Sequence, residues 1–98
     1  MAITKQTKEY IEGQIEYYIN EALSYKQIAE NYTPEVKSIS DTTFGIIAGC
    51  IYSSFLQVYQ NQQQTAELDD IKEFNQILKE NAGKIKQAIE KADSKTED

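Results

Sequence analysis

Three glutamates share one face of a predicted helix, and among the residues of this sequence they most resemble the ligands of a metal site. Glu9, Glu12 and Glu16 follow the spacing of three and four residues that places side chains on one helical face. Carboxylate metal sites in helical bundles combine such glutamates with histidine and direct them inward. The chain contains no histidine, and these glutamates lie opposite the apolar residues of the same segment. We therefore expect a solvated face, with no metal ion and no cofactor.

The possible nucleophiles lack the partners that would activate them. Serine needs a neighbouring base, and no histidine is present to act as one. The single cysteine, Cys50, lies in an uncharged apolar stretch, whereas reactive cysteines lie among positive charges. We expect no catalytic residue and no enzymatic activity. One cysteine cannot form a disulfide within the chain, and residues 1–5 lack the apolar core of a signal peptide, so the cytoplasm is the expected location.

Tyrosine is the most abundant aromatic residue and is concentrated in the first predicted helix. Two interpretations stay open. The rings pack against neighbouring helices while their hydroxyls reach water, or they line a groove that binds a small molecule or peptide. The residues of this aromatic groove would be Tyr10, Tyr17, Tyr18, Tyr25 and Tyr32.

The charge distribution argues against nucleic acid as a partner. The chain has 10 lysines, no arginine and 16 acidic residues, for a net charge of −6. Each of the segments 1–33, 34–64 and 65–98 has more acidic residues than lysines. Binding to nucleic acid depends largely on clustered cations that neutralise phosphates. No segment of this chain offers such a cluster.

Apolar residues recur with the period of an α-helix in three segments, which predicts an all-α fold. The first segment ends at Pro34, since proline disfavours helix in the residue before it. We expect a single domain over 1–98, in which long helices form an antiparallel three-helix bundle. The predicted helices cover residues 5–32, 42–61 and 65–92, and a frayed polar tail covers 93–98.

Polar residues mark where the second and third helices should begin. Ser40 or Asp41 is expected to cap the second helix, and Thr65 the third. Asn75 interrupts the apolar stripe of the third helix. It either fixes the register of that helix as a buried polar residue, as in coiled coils, or lies in water at the edge of the stripe; both interpretations stay open.

The second helix differs from the others because it carries no charge. From Thr42 to Ala66 the sequence has no charged residue in 25 positions. A membrane span needs about 20 apolar residues, whereas only about 16 mainly apolar residues are present here, followed by a glutamine-rich stretch. The flanks also lack the cationic asymmetry that orients a span. We therefore expect no membrane span.

Small residues line the uncharged half of this second helix. Gly45, Gly49 and Ser53 stand four residues apart, a spacing that lets another helix approach closely. That helix either belongs to the same chain or to a second subunit. A subunit interface is favoured because helices of a monomer normally keep a charged outer face. The predicted interface residues are Gly45, Gly49, Cys50, Ser53, Gln57 and Gln60.

Together these patterns predict a non-enzymatic helical interaction module. We expect it to associate through the second helix into a symmetric oligomer, most simply a homodimer, with a further protein partner left open. The alternative is a helical bundle that binds a small molecule or peptide in the aromatic groove. The two hypotheses differ in a measurable way, because only the second requires a tyrosine-lined cavity.

Overall fold

The computed structural model describes residues 3–93, and this part of the chain is all-helical, with no strand. It confirms the expected fold class. The predicted tail at 93–98 lies outside the described residues, apart from Asp93. The helices are, in chain order, α1 (Lys5–Asn20), α2 (Ala22–Glu30), α3 (Ile39–Asn61), α4 (Leu68–Glu80) and α5 (Ala82–Lys91).

The first and third predicted helices are each divided in two by one non-helical residue. At Glu21 the backbone has φ −104° and ψ 16°, and its N–H is shared between the carbonyls of Tyr17 (3.1 Å) and Tyr18 (3.2 Å). At Asn81 the side-chain amide donates to the Ile77 carbonyl at 2.8 Å. Such side-chain bonds to the carbonyl four residues back compete with the helical hydrogen bond. The described residues therefore form five helices where three were expected.

The α3 helix begins three residues earlier than the predicted start at residue 42. Its cap is Ser38, whose Oγ accepts a hydrogen bond from the Asp41 N–H at 3.1 Å. The expected caps at Ser40 or Asp41 were wrong, because the chain is already helical at Ile39. A serine followed three residues later by an acid fits the first turn of a helix, where a negative charge is stabilised.

The α4 helix begins three residues later than the predicted start at residue 65. The Asp70 carboxylate accepts a hydrogen bond from the Glu67 N–H at 2.8 Å, which fixes Leu68 as the first helical residue. Thr65 was therefore wrong as the expected cap. The end of α3 at Asn61 agrees with the prediction, and a connection of six residues separates it from α4.

The core is built around α3, which buries every fourth residue of one side. Phe55 of α3 stacks on Phe74 of α4, with ring centroids 4.7 Å apart. Asn75, beside Phe74, is exposed, so the open question about this residue is settled in favour of the solvated edge. The buried residues of the core cluster are Ile3, Ile11, Ile15, Ala22, Ile47, Ile51, Phe55, Phe74, Ile77, Leu78, Ile85 and Ile89.

Hydrogen bonds join segments that lie far apart in the sequence. The Ile3 N–H donates to the Glu73 carboxylate at 3.0 Å, which holds the start of the chain against α4. The Lys26 ammonium donates to the carbonyls of Ile89 (3.1 Å) and Ala92 (2.8 Å). A cation at the end of α5 also complements the helix dipole. Two salt bridges add to these contacts, Glu16–Lys84 and Asp41–Lys86.

Candidate interaction surface

The side of α3 opposite the core forms a continuous uncharged surface, which we call the α3 face. At 100° per residue its members fall within about 140° of the helix circumference. All six predicted interface residues lie on it; five of them are exposed, and Cys50 is half-buried. The α3 face consists of Thr42, Gly45, Ile46, Gly49, Cys50, Ser53, Leu56, Gln57 and Gln60.

The two glycines of the α3 face do not pack closely against another helix in the described part of the chain. A Cβ atom built on Gly45 or Gly49 meets nothing within 4 Å. The row of small residues therefore does not make room for α1, α2, α4 or α5. Of the two explanations for the row, close approach of a helix from the same chain has no support in this structure.

Little of the α3 helix is buried, although the helix is apolar. By length and composition alone, α3 is apolar enough to cross a membrane, yet only 22% of its most apolar window is buried. Core helices of soluble proteins also reach this length and composition, but they are mostly buried. Half-buried Ile46 and Leu56 contribute apolar surface beside the small residues. Such a patch commonly marks a contact surface.

The five tyrosines of the predicted groove separate into a cluster and two isolated rings. Tyr17, Tyr18 and Tyr25 form an edge-to-face ladder, with ring centroids 5.0 Å and 5.2 Å apart. Tyr10 and Tyr32 are exposed at other points along α1 and beyond α2. The ladder borders the α3 face, because Tyr18 and Tyr25 lie beside the Cys50 thiol.

Because the rings of this ladder are partly buried, the free energy of unfolding should fall at alkaline pH. Burial raises the pKa of the Tyr18 phenol from 10.0 to about 12, helped by the neighbouring Cys50 thiol and Tyr25 phenol. A raised pKa means that the contribution of Tyr18 to stability is complete below pH 10 and is lost as pH rises toward about 12. Urea unfolding across this range should show that loss in the unmodified protein and a smaller one in Tyr18→Phe.

The matched control for this titration is Tyr32→Phe, which removes a phenol that is 56% exposed. The control variant should lose stability with pH just as the unmodified protein does. If Tyr18→Phe and Tyr32→Phe followed the same curve, the Tyr18 phenol would not be responsible.

A wide groove lies at the end of the molecule where the start of α1, the end of α3 and the start of α4 meet. Its volume is about 1120 Å³. Of the predicted groove residues only Tyr10 lines it, together with Tyr59, which the sequence did not single out. Burial, followed by the charges of Asp70 and Glu73, raises the pKa of the Tyr59 phenol. The lining of the groove includes the acidic residues Glu67, Asp69 and Asp70 and no lysine.

Among residues 3–93, no group of three or more histidine, cysteine, aspartate or glutamate side chains is placed to hold a metal ion. Glu9 and Glu12 are exposed, and Glu16 pairs with Lys84 across the helices. The glutamate face of α1 is thus a charged outer surface, in contrast with the α3 face.

No protein-family model, curated protein or solved structure matches this chain.

Proposed function

We propose that this chain is a non-enzymatic interaction module that acts in the cytoplasm and associates with a second copy of itself through the α3 face. The observation that carries the proposal is the combination found there: an exposed surface without charge, containing two glycines that do not pack closely against another helix in the described part of the chain. Its role would reside in this surface and in the assembly it forms. A further protein partner could dock on that assembly.

The proposed fold of one subunit is an antiparallel bundle of three segments, α1–α2, α3 and α4–α5. Contacts at both ends of the bundle support this arrangement. Ile3 bonds to Glu73 near the start of α4, and Lys26 of α2 bonds to carbonyls at the end of α5. The first and third segments therefore run in the same direction. The Asp41–Lys86 pair joins the start of α3 to α5, so α3 runs in the opposite direction.

Electrostatics favour the α3 face over the rest of the surface for contact with an identical chain. Each copy carries a net charge of −6, so association brings like charges together unless the contact avoids them. The α3 face contains no charged residue and loses little hydration energy on burial. The remaining helices all carry acidic residues or lysines on their exposed sides. A second copy would therefore meet the least repulsion at α3.

A stable dimer would need a contact wider than the α3 face alone, because a helix is only about 10–12 Å across. A standard interface buries about 800 Å² on each partner. The 23 residues of α3 extend over roughly 34 Å at 1.5 Å per residue, so an interface of that area needs a strip about 24 Å wide. The molecule measures 44 × 27 × 22 Å. The contact would therefore include α3 and the edges of its neighbours, among them the tyrosine ladder.

The four glycines allow a test with controls inside the same chain. All four lie in helices, and none would bring a Cβ within 4 Å of another group. Alanine should therefore stabilise the monomer by about 0.5–1 kcal/mol at each position. At Gly45 and Gly49 alanine should also weaken the dimer, by about tenfold or more in Kd, because added methyl groups overpack a close contact.

The matched controls are Gly13→Ala and Gly83→Ala, which lie among charged residues on α1 and α5. Both should raise stability without changing the dimer Kd measured by sedimentation equilibrium. Equal dimer affinity in all four variants would remove the α3 face as the interface.

A second candidate function is ligand binding in the groove between α1, α3 and α4. Its volume of about 1120 Å³ is large enough for a small molecule, and the rings of Tyr10 and Tyr59 line it. A metabolite screen by thermal shift would test it. A ligand whose stabilising effect disappears in Tyr59→Ala would support this function, and the absence of any shift would count against it.

A further inference from the structure

We propose that the groove between α1, α3 and α4 binds a small organic cation in which two or more ammonium groups are joined by an apolar chain. The proposal rests on the second candidate function, ligand binding in this groove, and adds the chemical class of the ligand. It does not depend on what covers the α3 face. The groove combines aromatic rings with carboxylates, a combination that favours an ammonium ion over a neutral or anionic ligand.

Two tyrosine rings supply the aromatic part of the groove. The ring of Tyr59 is held from behind by Phe55, with the ring centroids 5.2 Å apart in an edge-to-face contact. Tyr10 of α1 is 43% exposed, so its ring is open to a ligand. The face of such a ring attracts a cation that lies within about 6 Å of the ring centroid. The rings also offer apolar contact to the chain that joins two ammonium groups.

The charged residues of the lining are all acidic: Glu67, Asp69 and Asp70, at the start of α4. The positive end of a helix dipole amounts to about half a charge, so it offsets only part of these three. Asp70 already accepts a hydrogen bond from the Glu67 N–H at 2.8 Å. Asp69 is exposed and has no hydrogen bond or ion pair among residues 3–93. Its carboxylate is therefore available to a ligand, and three carboxylates favour a ligand with more than one positive charge.

Hydrogen bonds hold the backbone around the groove in place. After α3 the chain turns at Gln63, which has φ 57°, and the Gln64 N–H donates to the Tyr59 carbonyl at 2.8 Å. At the start of α1 the Thr4 hydroxyl accepts a hydrogen bond from the Thr7 N–H at 3.1 Å. A site that is already ordered costs a ligand little conformational entropy on binding.

Three probes of related structure test the class of ligand by isothermal titration calorimetry. Hexanediamine carries two positive charges on an apolar chain, hexanediol has the same chain without charge, and Mg²⁺ has the same charge without the chain. We expect hexanediamine to bind and hexanediol not to bind. Mg²⁺ should bind at least about tenfold more weakly than the diamine, because it keeps its water shell and gains nothing from the rings. Equal affinity for Mg²⁺ and the diamine would overturn the proposal, since the carboxylates alone would explain it.

Two substitutions test the residues of the site. Tyr10→Leu removes the aromatic ring and keeps an apolar side chain, and Asp69→Asn removes the available carboxylate. Each should weaken diamine binding about two- to fivefold, the range expected for one exposed cation–π contact or ion pair. The matched control is Glu12→Gln, which removes one negative charge from an exposed position of α1 outside the groove. An equal loss in Glu12→Gln and Asp69→Asn would overturn the site.

A thermal-shift screen of neutral and anionic metabolites separates this inference from ligand binding in general. A neutral or anionic ligand whose effect disappears in Tyr59→Ala, together with no binding of the diamine, would overturn only the class of ligand. No binding by any of these compounds would overturn ligand binding in the groove as well.

Discussion

Lysine at the centre of the α3 face should convert the dimer into monomers without unfolding the chain. In Ser53→Lys, one substitution buries two like charges, one from each copy, in the proposed interface. Like charges juxtaposed in an interface cost several kcal/mol. We expect the dimer Kd to rise by about 100-fold or more, since 1.4 kcal/mol corresponds to a factor of ten. Sedimentation velocity over a concentration series would measure it.

Ser53 suits this experiment because the monomer tolerates the change. The residue is exposed on α3, and lysine is a better helix former than serine. The matched control is Gln87→Lys, which adds the same charge at an exposed position of α5. It should leave the Kd within about twofold. A Ser53→Lys protein that still dimerised like the control would place the interface elsewhere.

Removal of the aromatic stack between α3 and α4 should have the largest effect on stability. Phe55 and Phe74 are almost completely buried and stack on each other. Phenylalanine-to-alanine changes in cores cost about 3–5 kcal/mol, against a total stability of about 5–15 kcal/mol for typical domains. We expect Phe55→Ala to lose that much, or to be largely unfolded, in urea unfolding followed by circular dichroism.

The control for Phe55→Ala is another large apolar residue near the same junction. Leu68, the first residue of α4, is 65% exposed. Leu68→Ala should change the free energy of unfolding by no more than about 0.5 kcal/mol. A loss below about 1 kcal/mol in Phe55→Ala would show that α4 is held to the bundle by other contacts.

The apolar pattern was a good guide to the first helical segment. The heptad spacing predicts one stripe of Ile11, Ile15, Tyr18, Ala22, Tyr25, Ala29 and Tyr32. Its isoleucines and alanines are buried, Tyr18 and Tyr25 are half-buried, and Tyr32 is exposed. The break at Glu21 was not foreseen, because it is a single residue that leaves this stripe continuous. Neither glycine nor proline marks it, and a local change in hydrogen bonding has no strong sequence signal.

The third segment departs from its predicted stripe at two positions. The stripe comprises Leu68, Ile71, Asn75, Leu78, Ala82, Ile85, Ile89 and Ala92, widened by Phe74, Ile77 and Ala88. Leu68 and Asn75 are exposed, whereas the large apolar residues of the stripe on both sides of Asn81, Leu78, Ile85 and Ile89, are buried. Asn81 therefore interrupts the helix between α4 and α5 without shifting the buried side. The competing bond from the Asn81 amide to the backbone depends on its position in the folded chain. A periodic pattern alone does not reveal it.

The uncharged half of α3 was recognised from the sequence, but its surroundings were not. A run without charge fits both a helix buried on all sides and a helix with an open face. The structure distinguishes the two, because a Cβ atom on Gly45 or Gly49 would meet nothing within 4 Å. The groove around Tyr59 was missed altogether, since its lining comes from elements far apart in the chain.

The molar mass of the unmodified protein tests the central claim most directly. Light scattering under reducing conditions, at concentrations on the order of tens of micromolar, would measure it. Self-association through the α3 face predicts a mass near twice the 11.2 kDa of one chain, falling toward one chain on dilution. A mass of 11.2 kDa at every concentration would contradict the proposal.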